Sequence, residues 1–538
     1  MLSPSVTKRL IALHGWSGTV LSILLYVVML TGAVIVFDDE ILRWSRDAAP
    51  PQALIDRPIH ADVAALAARV PPALRGEVLI AGHSSGHRRV AFTGRGPADA
   101  EPMTAEFLLD RDGAVVRRLD APTDDLRRAD PHMALERFIV DLHVQLHLPA
   151  PWGLYATGVL GLTMLVAAIS GALIHRHLVR DAFLARRPGG RVASARDAHV
   201  LAGVWGLPFA ALLAFTGAFL SFALSLGLPI VAMVAFGGDQ RQALEAVLGA
   251  PRAADAAPGP LADLDAIVAD AARRADAEPL AVTVEDYGAR GAEVRVIHAP
   301  ASGALTGATL VYDGATGGFV REHVLVGAAP SLGSALVSLA APLHFGTFAG
   351  LLSRAVWAGL GAAMTYAVVS GVDLWLRRRE GDQFWAVCRR AMVCVVWGLP
   401  FAMACAAVAF FATVGVGTPW TATPAGFLTG CALAVGWTCL ARRGDAAALG
   451  RDLRAAAGAA LLVLPLIRVA AGGAGWPDAL WTRDPAVAGI DLAVALLGLW
   501  LLAPALRAAG EAAFAAARRS GAVQAARNRA KGASAPPD

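Results

Sequence analysis

Long apolar runs alternate along this chain with segments of a different rhythm. Eight runs approach or exceed the ~20 residues of helix that a hydrocarbon layer requires; they lie at about 11–37, 152–175, 199–225, 347–376, 387–413, 424–441, 455–473 and 486–506. Pro465 and Arg468 interrupt the seventh. Two intervening segments, roughly 38–142 and 227–341, change to strand-like alternation. In the first, helix-like ADVAALAARV precedes EVLIAGH, RRVAFTG and AEFLLDRDGAVVRRL; in the second, LADLDAIVADAARRA precedes LAVTVEDY, AEVRVIHA and ATLVYDGATGGFVRE. Each is predicted to be a small α+β unit whose last two strands turn at an Asp-Gly signal. The Pro/Ala-rich stretch 250–263 reads as a linker ahead of the second unit.

The pattern divides the chain into a first span (1–37), an outer unit (38–142), two spans (143–225), a second outer unit (226–341), a fourth span (342–380), four additional spans (381–506) and a basic tail (507–538). Composition agrees: 56% of the 538 residues are hydrophobic and 17% charged, with a mean hydropathy of +0.53. That much apolar surface cannot be hidden in one soluble core. Arginines crowd the connections between spans 2 and 3, 4 and 5, and 6 and 7, as Lys8 and Arg9 precede span 1. Eight helices place all of these on one side, so the expected orientation has both termini cytoplasmic. Span 1 is too long to read as a cleaved leader. The net charge of +4 is accounted for by anchoring at the bilayer face and calls for no nucleic acid. Cys388, Cys394, Cys405, Cys431 and Cys439 lack metal-ligand spacing and read as small packing residues; neither outer segment has a cysteine for a disulfide.

The chain repeats itself. His14, Gly18, Thr31 and Gly32 in span 1 recur as His199, Gly203, Thr216 and Gly217 in span 3, with the spacing H-x3-G-x12-T-G. After each outer unit a Leu-His pair leads to a Ser-Gly pair: Leu142-His143 to Ser170-Gly171, and Leu343-His344 to Ser370-Gly371. The intervals from His to Gly are 28 and 27 residues. A third echo, VWGLPFA at 204–210 and again at 396–402, has Ala391, Val395, Val408 and Ala409 where span 3 has His, Gly, Thr and Gly. The set is lost together, as residues serving one purpose would be.

Imidazoles in a membrane bundle are costly and face its interior. His14 and His199 are expected at the inner ends of spans 1 and 3, His143 and His344 at the outer ends of spans 2 and 4. One pair per face is what two haems need, each iron held by imidazoles from two helices. Gly18 and Gly203, one turn from His14 and His199, would offer a flat surface to a macrocycle or permit close helix contact. His147, four residues after His143, is an alternative outer ligand, and His175 a reserve for the inner site. His83 and His87 flank a turn and read as surface residues; His60, His132, His298 and His323 carry no signal. No nucleotide- or flavin-binding glycine motif and no zinc-peptidase signature occurs, so electrons would come from another component.

LHGWSG, DLHVQL, AISG, HVLAGVWGLPFAALLAFTG, PLHFGTFAGLLSR and VVSGVDLWLRRR together resemble the PepSY-associated transmembrane proteins of bacterial inner membranes, several of which are ferric-siderophore reductases. The likeness covers residues 1 to about 380. It implies an all-α polytopic membrane protein with a four-helix haem-binding core and two periplasmic α+β PepSY-like domains. It also implies two b-type haems, on His14, His143, His199 and His344, and electrons carried outward to a ferric siderophore. Some members have a fused reductase domain where this chain has four more spans, so the donor, a quinol or a cytoplasmic reductase, is open. With both haems bis-His, the acceptor must react at the outer surface, and the two irons would stand roughly 20 Å apart across a ~30 Å layer. The alternative is a haem-free PepSY membrane sensor or assembly protein; a transporter is a third reading, weakened by the absence of a midplane acidic site.

Overall fold

The first apolar run does not form one straight helix. In the computed structural model, which describes residues 3–46, 54–94, 102–175, 191–248, 255–327, 329–379, 381–441, 445–477 and 485–533, α1 (Pro4–Val20) and α2 (Ser22–Ile35) meet at a 68° bend. The Thr19 hydroxyl donates to the Gly15 carbonyl and the Ser22 hydroxyl to that of Thr19, both at 2.7 Å. Such bonds compete with the helix ladder where the axis turns. Among the described residues seven other helices are long and apolar enough to cross a membrane, making up to eight candidate spans when the bent pair counts as one. The protein is a mostly helical, multi-pass membrane protein. The connection 176–190, with His177, Arg180, Arg186 and Arg187, lies outside the described residues, as do Arg442, Arg443 and positions 250–254 of the expected linker.

From α3 (Asp38–Trp44) the chain enters the first outer segment. There α4 (His60–Ala67) precedes β1 (Glu77–Gly82), β2 (Arg88–Thr93), β3 (Met103–Leu109) and β4 (Val115–Pro122). The short α5 (Thr123–Arg128) then leads to α6 (Met133–Gln145) and the second span, α7 (Trp152–Ile174). The third span, α8 (Arg191–Phe222), runs through a π turn into α9 (Leu228–Ala235). The second outer segment has α10 (Gln240–Leu248) and α11 (Leu264–Ala275) before β5 (Pro279–Glu285), β6 (Glu293–Pro300), β7 (Gly307–Asp313) and β8 (Phe319–Glu322). The chain returns through α12 (Leu332–Phe345) to the fourth span, α13 (Gly350–Arg377).

The two outer segments, expected as separate units, share one antiparallel sheet of eight strands in the order β4-β3-β2-β1-β5-β6-β7-β8. β1 and β5 join the halves from Glu77↔Glu285 to Ala81↔Ala281. Each would otherwise be the bare edge of a four-stranded meander, so the pairing satisfies two rows of backbone groups at once. Alternation sends Val78, Ile80, Phe92, Phe107, Val282, Val284 and Tyr312 to one face, where Val63 and Leu66 of α4 and Ile267 of α11 close the core. The copies also interlock: the Asp265 carboxylate accepts from the Ile59 and His60 amides at 2.6 and 3.3 Å, and the Leu264 amide donates to His60 Nδ1 at 3.3 Å. At the predicted Asp-Gly turn, Gly113 adopts φ +86° while Asp110 Oδ1 accepts from the amides of Asp112 and Ala114. In the second copy Gly317, not Gly314, takes the positive φ, at +74°.

The membrane part of this first unit centres on Leu25 and Met29 of α2, Leu160 and Met164 of α7, Phe209 of α8 and Met364 of α13. α7 packs against α1 and α8, and α13 against α8 and α2, giving the four-span core.

The other spans, α14 (Gln383–Thr413), α15 (Pro419–Leu440), α16 (Ala446–Ala470) and α17 (Pro485–Ala533), belong in the main to a second unit. Its five cysteines are unbridged. Arg468, which interrupts the apolar pattern of α16, is wholly buried beside Asp491 of α17, with Nη2 at 2.8 Å from Oδ2 and Nε at 3.3 Å from Oδ1. Removing one member of such a buried pair leaves the other charge stranded. Arg468→Met or Asp491→Leu alone should therefore cost about 3–5 kcal/mol, whereas the double variant should recover most of that loss. Thermal unfolding in detergent tests this; single and double variants melting alike would contradict it.

Candidate functional site

The four repeated histidines come together as two pairs. His14 of α1 and His199 of α8 lie with ring centres 6.2 Å apart and planes at 57°. His143 of α6 and His344 of α12 lie 6.4 Å apart with planes at 37°. The outer pair does not stand on the ends of the second and fourth spans, as expected. It stands on two short helices that precede those spans, separated from them by the turns 146–151 and 346–349. The connections themselves differ in length, nine residues from His143 to the start of its span and six from His344, as connections tolerate.

Each ring is held in the same way. His14 Nδ1 is 2.9 Å from the Ala167 carbonyl and 3.2 Å from Ser170 Oγ; His199 Nδ1 is 3.0 Å from the Ala367 carbonyl and 3.3 Å from Ser370 Oγ. His143 Nδ1 is 2.9 Å from the Val28 carbonyl, beside Thr31. A carbonyl only accepts, so in these three rings Nδ1 carries the proton and donates. His344 Nδ1 meets Thr216 Oγ1 at 2.9 Å, and that hydroxyl spends its own hydrogen on the Leu212 carbonyl at 2.7 Å. It therefore accepts from His344. All four imidazoles keep an Nε2 lone pair, the arrangement of histidines whose second nitrogen binds a metal.

The glycines beside these acceptors let the rings in. A Cβ at Gly32 would stand 2.8 Å from His143 Cε1, at Gly371 2.8 Å from His199 Cε1, and at Gly171 and Gly217 3.1 Å from those of His14 and His344. The Thr-Gly and Ser-Gly pairs of the repeat thus serve a histidine on another helix. In the sequence these pairs stand out only as repeats, and their recurrence at matched distance from each histidine is the signal that marks them. Gly18 and Gly203 have nothing within 4 Å of an added Cβ, so space remains at the position one turn from His14 and from His199.

Two imidazoles on opposite sides of one metal, each bonded at about 2.0 Å with its ring centre about 1.1 Å beyond the nitrogen, would be roughly 6.3 Å apart centre to centre. Both pairs match that spacing. Among the described residues no group of three or more His, Cys, Asp or Glu could hold a bare ion, whereas a pair of imidazoles would be enough to hold a metal carried in a macrocycle that supplies its other ligands. From His199 to Thr216 is a run of continuous helix, so the α8 residues that serve the two pairs stand roughly 26 Å apart along its axis.

The remaining histidines are elsewhere. His147 stacks on Phe138, 4.4 Å between centres, and is not in the outer pair. His175 ends α7, its amide bonded to the Ala172 carbonyl. His83 Nδ1 shares the Ser85 hydroxyl with His87 Nδ1, and His83 Nε2 lies 4.0 Å from the Asp130 carboxylate. Two turns before His143 on α6, Glu136 is pushed up to about 7 by burial, with Asp38, Asp141 and Asp39 adding to the rise and Arg137 opposing it.

Residues 11–378 match the family described as the PepSY-associated TM region. A Pseudomonas aeruginosa protein described only as uncharacterized is 31% identical over 257 residues, a match taking in 45% of this chain and 63% of that relative. The chain thus spans just under two thirds of the relative's length.

The Glu136 shift makes a stability prediction. Its folded value of about 7 exceeds the ordinary 4.5, so the neutral carboxyl stabilises the fold fully below pH 4.5, and that contribution is lost as pH rises through 7. The loss is on the order of 3 kcal/mol. Glu136→Gln should flatten the thermal stability profile between pH 4.5 and 7 relative to the parent; equal slopes would refute it.

Proposed function

The chain belongs to the PepSY-associated TM family, and from the geometry of its two histidine pairs we propose that it is a di-haem b electron-transfer protein of the bacterial inner membrane. His14 and His199 would hold one haem, His143 and His344 the other. Bound there, such a group supplies one-electron redox chemistry. The observation that carries this reading is the pair spacing of 6.2 and 6.4 Å with every Nδ1 already spent on a protein acceptor.

The residues do what such sites need. Carbonyls and Ser/Thr hydroxyls fix the tautomer and ring orientation. Glycines allow the rings to seat against neighbouring helices. With two imidazoles per iron no coordination position remains for a substrate, so the terminal acceptor would be reduced at the outer surface. The acceptor we favour is ferric iron in a siderophore: one electron converts Fe(III) to Fe(II), which hard-oxygen chelators hold less well and release. The expected orientation has both termini cytoplasmic, with the donor a quinol or a cytoplasmic reductase.

Purified protein should show two low-spin b-type haems per chain in oxidised and dithionite-reduced spectra. His344→Ala should retain one haem and His14→Ala the other. Retention of both haems in either variant would refute the ligand assignment, and a folded, haem-free protein would favour the sensor reading. Gly371→Val should perturb the inner haem spectrum by displacing the His199 ring while leaving the outer haem in place; an unchanged spectrum would sink the packing argument.

A further inference from the structure

Within the second unit, Arg390 of α14 donates to the carbonyls of Thr438 and Ala441, and Arg468 of α16 pairs with Asp491. Arg454 of α16 differs. Its guanidinium carbon lies 4.6 Å from the ring centre of Trp397 on α14 and 4.9 Å from that of Trp500 on α17, between indoles 6.5 Å apart. Its Nε is buried without a hydrogen-bond partner, and among the described residues no carboxylate or carbonyl accepts from the group. Two indole faces offset part of the cost of desolvating the cation, but neither accepts a hydrogen bond from the buried Nε. In a span, a cation so placed calls for an anion.

The surroundings indicate which anion. α16 and α17 cross where a Cβ at Gly458 would meet the Gly498 carbonyl at 2.6 Å and one at Gly498 the Gly458 carbonyl at 2.9 Å. Counting from that crossing in antiparallel register, Arg454 is level with Leu502, and Arg451 and Arg507, both exposed, fall within about two turns at the same end of the helix pair. The neighbouring Asp452 accepts from Trp437 Nε1 at 3.3 Å. In the other direction, Leu492, Leu496 and Trp500 recur every four residues on one face of α17, each more than half exposed at 60%, 56% and 58%. A cationic end therefore continues into an apolar lane, the polarity sequence of a lipid from headgroup to chain.

We propose that Arg454, clamped between Trp397 and Trp500, binds the phosphate of an anionic phospholipid whose acyl chain lies along Leu492, Leu496 and Trp500. Arg451 and Arg507 add attraction at the headgroup level, where each basic residue favours an anionic lipid by about five-fold. A free phosphate would use the same cation but gain nothing from the apolar lane.

Native mass spectrometry of the delipidated full chain, titrated with phosphatidylglycerol or phosphatidylcholine, tests this. Phosphatidylglycerol should be retained at least about five-fold better. Arg454→Gln should abolish that preference, while Arg241→Gln in an outer helix should not. Equal retention of the two lipids, or an Arg454→Gln variant that still prefers phosphatidylglycerol, would overturn the proposal. Displacement of the lipid by equimolar inorganic phosphate would also overturn it, moving the site to a soluble anion. Should Arg454→Gln fail to fold by thermal melt, Trp500→Ala, at an exposed position, should lower the preference by removing one face of the clamp; an unchanged preference would reject the site.

Discussion

An imidazole inside a helix bundle must do something with its ring N–H, and this requirement organises the first unit. Four times the proton on Nδ1 is given to an acceptor on a neighbouring helix, beside a Ser or Thr and the glycine that follows it. The hydroxyl helps to fix the tautomer, and the missing Cβ admits the ring. One donated hydrogen bond thereby fixes which nitrogen is left over and in which direction it is available. Packing of α1 on α7, α8 on α13, α2 on α6 and α12 on α8 is arranged around these four contacts.

The outer segments follow a related logic of mutual completion. Neither four-stranded meander can close its own inner edge, and β1 and β5 close each other's. Asp265 from one copy caps the start of a helix in the other, and His60 returns a bond. The outer histidine helices are tied to the sheet through α5 on one side and through the chain from β8 to α12 on the other. In the second unit, where the histidine pattern has lapsed, charged groups in the spans find other partners: Asp491 for Arg468, carbonyls for Arg390, two indoles for Arg454. A cation in a span is tolerated only with such company.

Much of this was legible in the chain. Apolar run length identified the spans, and H-x3-G-x12-T-G singled out His14 and His199. It was not legible that identical spacing would run through a 68° break at Leu21 in one copy and a continuous α8 in the other, because local Thr and Ser hydroxyl bonds turn the first axis. Nor could spacing choose between His143 and His147. They share a face in an ideal helix, but α6 ends at Gln145, and Leu146 and His147 take φ +54° and +55°, which sends the second ring onto Phe138.

The sequence by itself determined that this is a multi-pass membrane protein, that its core is duplicated, and that His14, His199 and His344 belong to the duplication with either His143 or His147. Those properties follow from periodicity and spacing along one chain. Only the tertiary structure decided which histidine meets which, that Thr-Gly and Ser-Gly pairs receive their rings, and that two outer meanders make one sheet. Each of these depends on contacts between residues far apart in sequence. Such contacts are set by helix packing and strand-edge pairing, and a one-dimensional pattern constrains them without specifying them.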